Sequence, residues 1–183
     1  MLLELGDAVR YQGMGAGRVV DHVERDFRGE TRLMAVIYFP HRQMTAQLPV
    51  GDPAIMERLA PTLNERQIRR YLRSIANSGQ ILPRTWDKRE ELGKDVLNKG
   101  GPKEWASLLA SYSLAASYGV EIAASDLEIV RQIQELFAAE LALAADKEFE
   151  DSLRLIESSY DKASVLRNGE IVADHFTAVP LQV

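Results

Sequence analysis

Two periodicities divide the chain. Over the first 50 residues, apolar positions fall in short runs: Ala8-Val9-Arg10-Tyr11, Arg18-Val19-Val20-Asp21-His22-Val23, Leu33-Met34-Ala35-Val36-Ile37-Tyr38-Phe39, and Met44-Thr45-Ala46-Gln47-Leu48-Pro49-Val50. Between them lie Gly13-Met14-Gly15-Ala16-Gly17, Phe27-Arg28-Gly29-Glu30 and Pro40-His41-Arg42, which supply turns. Short β-rich runs with such punctuation predict strands, and four of them at close spacing predict a small antiparallel barrel of the SH3-like or Tudor-like kind.

From Thr62 the spacing turns helical. Thr62-Leu63-Asn64-Glu65 has the form of a capping box, and Ile68, Leu72 and Ile75 follow on one face, with Gly79 as a left-handed stop. A helix is predicted over 87–98, ending at Lys99-Gly100-Gly101. Pro102 then opens another, in which Trp105, Leu108, Leu109 and Tyr112 share a face. Ser125-Asp126-Leu127-Glu128 repeats the capping-box form. Behind it Leu127, Val130, Ile133, Phe137 and Leu141 step at three and four residues, and Asp146 is placed to cap a last helix carrying Phe149, Leu153, Ile156 and Tyr160 inward. The remainder lacks period, apart from Ser164-Val165-Leu166 and Glu170-Ile171-Val172, a strand pair around Asn168-Gly169. The fold class expected is therefore α+β: a β-barrel domain over 1–61, a compact domain of about five helices over 62–160, and a tail over 161–183.

Composition narrows the function. An apolar share of 46% suffices for packed cores, and the absence of cysteine excludes disulfides and thiolate metal sites. No run approaches the roughly 18 apolar residues of a membrane span, and the start has no secretory pattern, so a soluble cytoplasmic protein is expected. The net charge of −5 hides a gradient. Residues 1–61 hold seven Lys and Arg against eight Asp and Glu, residues 62–103 ten against five, and residues 104–183 five against fourteen. A phosphate backbone senses potential over about 8–10 Å, so only the middle segment, at +5, is a candidate for DNA.

Catalytic signatures are missing. The Gly13-x-Gly15-x-Gly17 run lies between two strands, whereas a phosphate loop must lead into a helix N-terminus. It reads as a turn needing positive φ. His22, His41 and His175 have no acidic or histidine partner at ligand spacing. No enzyme, metal or cofactor is expected.

In order along the chain, several segments resemble the CarD/CdnL family of bacterial transcription regulators. Gly6-Asp7-x-Val9-x-Tyr11 with Gly15-x-Gly17-x-Val19 is similar to the family's opening strand and turn, and Arg28-Gly29-Glu30 to its first hairpin. Met44-Thr45-x-x-Leu48-Pro49-Val50 resembles its polymerase-facing strand. Pro83-x-x-Trp86-x-x-Arg89 resembles its tryptophan segment, and Ala139-Glu140-Leu141-Ala142-Leu143-Ala144 the end of its long helix. The resemblance runs from about residue 4 to 160. It implies a first domain, shared with the transcription-repair coupling factor, that docks a strand edge on the β subunit of RNA polymerase. The docking residues implied are Met44, Thr45, Ala46, Gln47 and Leu48, with Arg25 and Arg42 as flanking charges.

The resemblance further implies a helical domain on promoter DNA at the upstream edge of the melted bubble, where Trp86 acts as a wedge beside Arg84, Lys88 and Arg89. The DNA contact is expected to be weak and non-specific, and the protein a monomer. A large ring among cations suits a minor-groove wedge, although a core role is the usual one for tryptophan. Two departures stand out. Gln47 takes a place that is commonly basic, and Glu90 and Glu91 follow Trp86 where the family is more basic. Both leave open a rival reading, a docking module without productive DNA contact.

Overall fold

A computed structural model describes residues 3–27 and 29–162. The protein is α+β. Five antiparallel strands, β1 (Ala8–Tyr11), β2 (Gly15–Phe27), β3 (Glu30–Phe39), β4 (Met44–Pro49) and β5 (Leu59–Pro61), precede five helices. A 3-10 turn over Pro40–Arg42 and a one-turn helix α1 (Pro53–Met56) lie among the strands. The later helices are α2 (Glu65–Asn77), α3 (Trp86–Lys99), α4 (Pro102–Ser117), α5 (Ala124–Ala145) and α6, described over 149–162. The strand pair expected within 164–172 lies outside the described residues.

Among the described residues the sheet is open, with the order β4-β3-β2-β1-β5 and no ladder joining β4 to β5. This corrects the expected closed barrel. β1 and β5 have only four and three residues, whereas β2 and β3 run as a hairpin of 13 and 10. The longest strands lie in the middle of the sheet and short ones at its rims. Alternate residues Val9, Tyr11, Ile37 and Phe39 point into one core with Val19, Ala35, Leu48 and Leu59.

The glycine run after β1 is a turn, as predicted. Gly13 and Gly15 take φ of 78° and 87°. A Cβ on Gly15 would also meet Leu136 at 2.8 Å, and one on Gly17 the Tyr38 carbonyl at 2.7 Å. Only glycine fits these positions.

The chain forms two compact units, Met1–Ile68 with Glu135–Leu153, and Arg69–Gln134 with Arg154–Val183. The second half of α5 is grouped with the sheet. Glu140 makes one contact of that half. It is fully buried on α5, and its carboxylate accepts from the Arg10 guanidinium at 2.8 Å and from the Leu63 backbone N–H at 2.6 Å. Burial pushes this carboxyl upward, while Arg10 and the Leu63 N–H pull it back toward the charged form.

Local capping also differs from expectation. The box at α2 joins Asn64 and Gln67, each accepting the other's backbone N–H at 2.9 Å, two residues beyond the predicted Thr62 and Glu65. The Leu63 N–H, next to Thr62, is bonded to Glu140. In the second unit Ile75, Trp105, Leu108, Leu109, Tyr112, Val130 and Ile133 are buried as their spacing predicts, but Leu127 is 56% exposed. Gly93 of α3 abuts Ile129 of α5, leaving no room for a Cβ.

Two outcomes follow for stability. Glu140→Ala should cost about 3–5 kcal/mol in chemical denaturation, because Arg10 is left without its anion, whereas Arg10→Met with Glu140→Leu should recover most of the loss. His41 governs the second. It is held between Phe39, Phe149 and Gly15, and its ring nitrogens complete no hydrogen bond of ordinary geometry, although the Met14 backbone lies alongside. Burial, then the Arg42 charge, lowers its pKa from 6.5 to about 4. The unfolded chain therefore takes up this proton at higher pH than the folded one, and stability falls as pH drops from 6.5 toward 4, by at most about 3 kcal/mol. Glu140, shifted upward, acts in the opposite sense. Comparing wild type with His41→Leu at pH 7 and 4.5 isolates the histidine, and the variant should lose less stability on acidification.

Candidate functional site

Within the second unit, the N-terminus of α3 is built around a buried acid. Asp126, in the first turn of α5, is 1% exposed. It accepts from Arg89 Nε at 3.1 Å, from the Arg89 fork again at 3.1 Å, from the Tyr112 hydroxyl at 3.1 Å and from the Ala123 backbone N–H at 3.2 Å. Burial, then the Asp126 charge, pushes the Tyr112 phenol well above its ordinary value, so it remains a donor. Arg89 also donates to the carbonyls of Pro83 and Arg84, at 3.3 and 3.1 Å. One guanidinium thus fastens the segment before Trp86 to α5, and Asp126 links it onward to Tyr112 of α4.

Trp86 stands at the first position of α3 and is 51% exposed. Its indole N–H donates to Ser125 Oγ at 2.6 Å. Ser125, predicted as a helix cap, instead receives this ring, while Asp126 reaches back to the Ala123 N–H. The ring is therefore exposed on one side and oriented on the other. Trp105 is 2% exposed, as its stripe predicts.

The predicted DNA-contact residues divide. Arg84 and Lys88 are exposed and flank the ring. The Arg89 side chain is 12% exposed and paired with Asp126. A buried carboxylate without a counter-charge is costly, and Arg89 supplies that charge to Asp126. Glu90 pairs with Lys94 at 2.6 Å.

Other residues escaped the sequence reading. Tyr112 and Asp126 were assigned to a core stripe and a cap, and nothing local betrays their pairing. The arginines of α2 did leave a signal, since Arg66, Arg69, Arg70 and Arg73 follow the i, i+3, i+4, i+7 spacing of one helix face, and all four are exposed.

Within the first unit, β4 is an edge strand. Val50 N–H donates to the Leu33 carbonyl directly opposite it. In an antiparallel ladder, bonded pairs alternate, so Leu48, Ala46 and Met44 bond toward β3. The backbone N–H and C=O groups of Thr45 and Gln47 then face away from the sheet. The Gln47 side chain accepts from Arg25 at 3.2 Å, and Arg42 donates to the Gly13 carbonyl at 3.2 Å. Leu48 is buried in the core, so its side chain is not offered to a partner. Met44 and Thr45 are exposed, and Ala46 is half-buried.

Among the described residues, no group of three or more histidine, aspartate or glutamate side chains could hold a metal ion, and no helix is long and apolar enough to cross a membrane. The chain matches no protein-family model, and no curated protein matches it in sequence.

The two tryptophans should separate in a thermal or denaturant melt. Trp86→Ala should leave stability within about 1 kcal/mol of wild type, since half its surface already meets water, whereas Trp105→Ala should cost about 3–5 kcal/mol. Equal losses would make Trp86 a core residue.

Proposed function

We propose that this protein regulates transcription initiation in the manner of the CarD/CdnL family, without catalysis. In this reading the first unit, a Tudor-like module left open at β4, adds that edge to a sheet of the RNA polymerase β subunit. Trp86 of the second unit enters promoter DNA at the upstream edge of the bubble. The observation that carries the reading is the half-exposed Trp86 ring, fixed by Ser125 and flanked by the exposed Arg84 and Lys88. An exposed aromatic held in one orientation binds an unstacked base step at less entropic cost than a free one.

The outward backbone of Thr45 and Gln47 supports the docking half. Strand addition takes its affinity from main-chain bonds, which tolerates Gln47 where a basic side chain is common. A ligand that prefers the opened promoter shifts the closed–open equilibrium by its differential affinity alone. The second reading is a docking module without productive DNA contact. The commitment of Arg89 to Asp126 favours it, because a nearby cation is withdrawn from phosphate.

Co-purification with RNA polymerase and open-complex lifetime test both halves. Gln47→Pro should abolish binding to the β subunit while the chain still folds, since the lost N–H faces the partner. Ala46→Pro would instead break the β3–β4 ladder. Trp86→Ala should keep polymerase binding and shorten the open-complex lifetime. If polymerase binds but the lifetime is unmoved, the docking-only reading replaces the wedge. If the chain does not bind polymerase at all, the transcription reading falls.

A further inference from the structure

The second unit carries an apolar cavity of about 320 Å³ next to the Trp86 segment. Ile81, Leu82, Pro83, Leu114, Tyr118 and Val120 line it. One wall, the 80–84 segment, is tied at both ends. The Gln80 N–H donates to Ser111 Oγ of α4 at 2.9 Å, and Arg89 of α3 donates to the Pro83 and Arg84 carbonyls. The concavity is therefore preformed, and its volume lies at the lower end of the roughly 300–1,000 Å³ of small-molecule sites. Its rim is apolar and open to water, with Ile81 93% exposed, Tyr118 65% and Val120 48%. Covering such a surface favours binding.

The polar groups of the cavity leave one charge available. Arg89 is balanced by Asp126. Ser111 Oγ is used twice, accepting from Gln80 and donating to the Ser107 carbonyl. Arg84 is exposed, and among the described residues its guanidinium has no partner and no acidic side chain lines the cavity. An apolar trough with one available guanidinium is complementary to a molecule with an apolar body and a single anionic end.

We infer that this cavity binds a single-chain fatty carboxylate, with the alkyl chain against Leu82, Leu114 and Val120 and the carboxylate on Arg84. The planar fork of an arginine takes a carboxylate through two parallel N–H bonds. A methylene fills about the volume that a water claims in the liquid, roughly 30 Å³, so the cavity covers a chain of about ten carbons. A two-chain lipid is too large for it. A cationic amphiphile would meet Arg84 with the wrong sign. This site goes beyond the proposed function, since neither polymerase nor DNA enters it.

The experiment is a calorimetric titration of the full chain, without polymerase or DNA, by hexanoate, octanoate, decanoate and tetradecanoate. One molecule should bind per chain. Affinity should rise about two- to fourfold per methylene as far as decanoate and flatten beyond it. Arg84→Gln should weaken decanoate about three- to fivefold, the range of an exposed ion pair, and leave decanol unmoved. Decyltrimethylammonium should bind less tightly than decanoate. Ile81→Asn and Val120→Asn, both on the exposed rim, should each weaken every chain about threefold, and either serves if the other folds poorly. Four results would overturn the site: no saturable binding, an affinity that ignores chain length, an Arg84→Gln variant that holds decanoate as well as wild type, or capture by vesicles of anionic phospholipid without binding of free decanoate. The last would make the rim a membrane-facing patch instead. Failure here leaves the transcription reading intact, and failure of that reading leaves this one.

Discussion

Glu140 is an ionisable group with no exposed surface, set among the alanines and leucines of a 22-residue helix. Such a side chain is tolerated in only one arrangement, with its charge countered and its oxygens bonded. Arg10 from β1 supplies the charge, and the Leu63 N–H, in the link between β5 and α2, occupies the other oxygen. Apolar contacts could be satisfied by several rotations of α5 against the sheet. This one cannot, because a turn of the helix would strand both ions. The pairing therefore fixes which face of α5 meets β1, and with it the packing of Leu136 on the glycine turn.

The second unit solves the same problem with Asp126. There the buried acid gathers Arg89, Tyr112 and the Ala123 N–H, and Arg89 extends the fastening to the carbonyls before Trp86. The consequence differs because of what lies next to it. Glu140 locks an interior, whereas Asp126 fixes a surface, the turn that presents an aromatic ring. Loop residues carry function best when rigid elements place them. Here the rigidity is electrostatic as much as apolar.

These two acids also mark the limit of what could be read from the sequence. Apolar periodicity located α4 and most of α5, since every turn of a helix repeats the same demand. It located the strands and the turn glycines for a similar reason. The pairings that fix these acids and the ring follow no period, and their partners are remote: Arg10 and Glu140 are 130 residues apart, Trp86 and Ser125 39. Local rules therefore point to Ser125 as a cap and Thr62 as part of a box, each the nearest plausible use. Barrel closure was overestimated because strand count can be read from the runs, but not which rim strands pair.

The contrast between the two candidate surfaces bears on how they would act together in the proposed function. Docking through β4 would rely on backbone groups, so its affinity would be largely indifferent to salt and side-chain chemistry. Contact through Trp86 would rely on one ring, with Arg84 and Lys88 beside it and Arg89 withdrawn. Such a surface would bind free DNA weakly, and its share of charge would be screened at physiological salt. Tethering changes the arithmetic, since an intramolecular contact operates at effective concentrations up to the millimolar range. A weak wedge is then no defect. Bound tightly to DNA by itself, the protein would be spread over duplex everywhere. Bound weakly, it would act, in the proposed function, only where polymerase had already brought it, and only once the promoter had opened a step for the ring to enter.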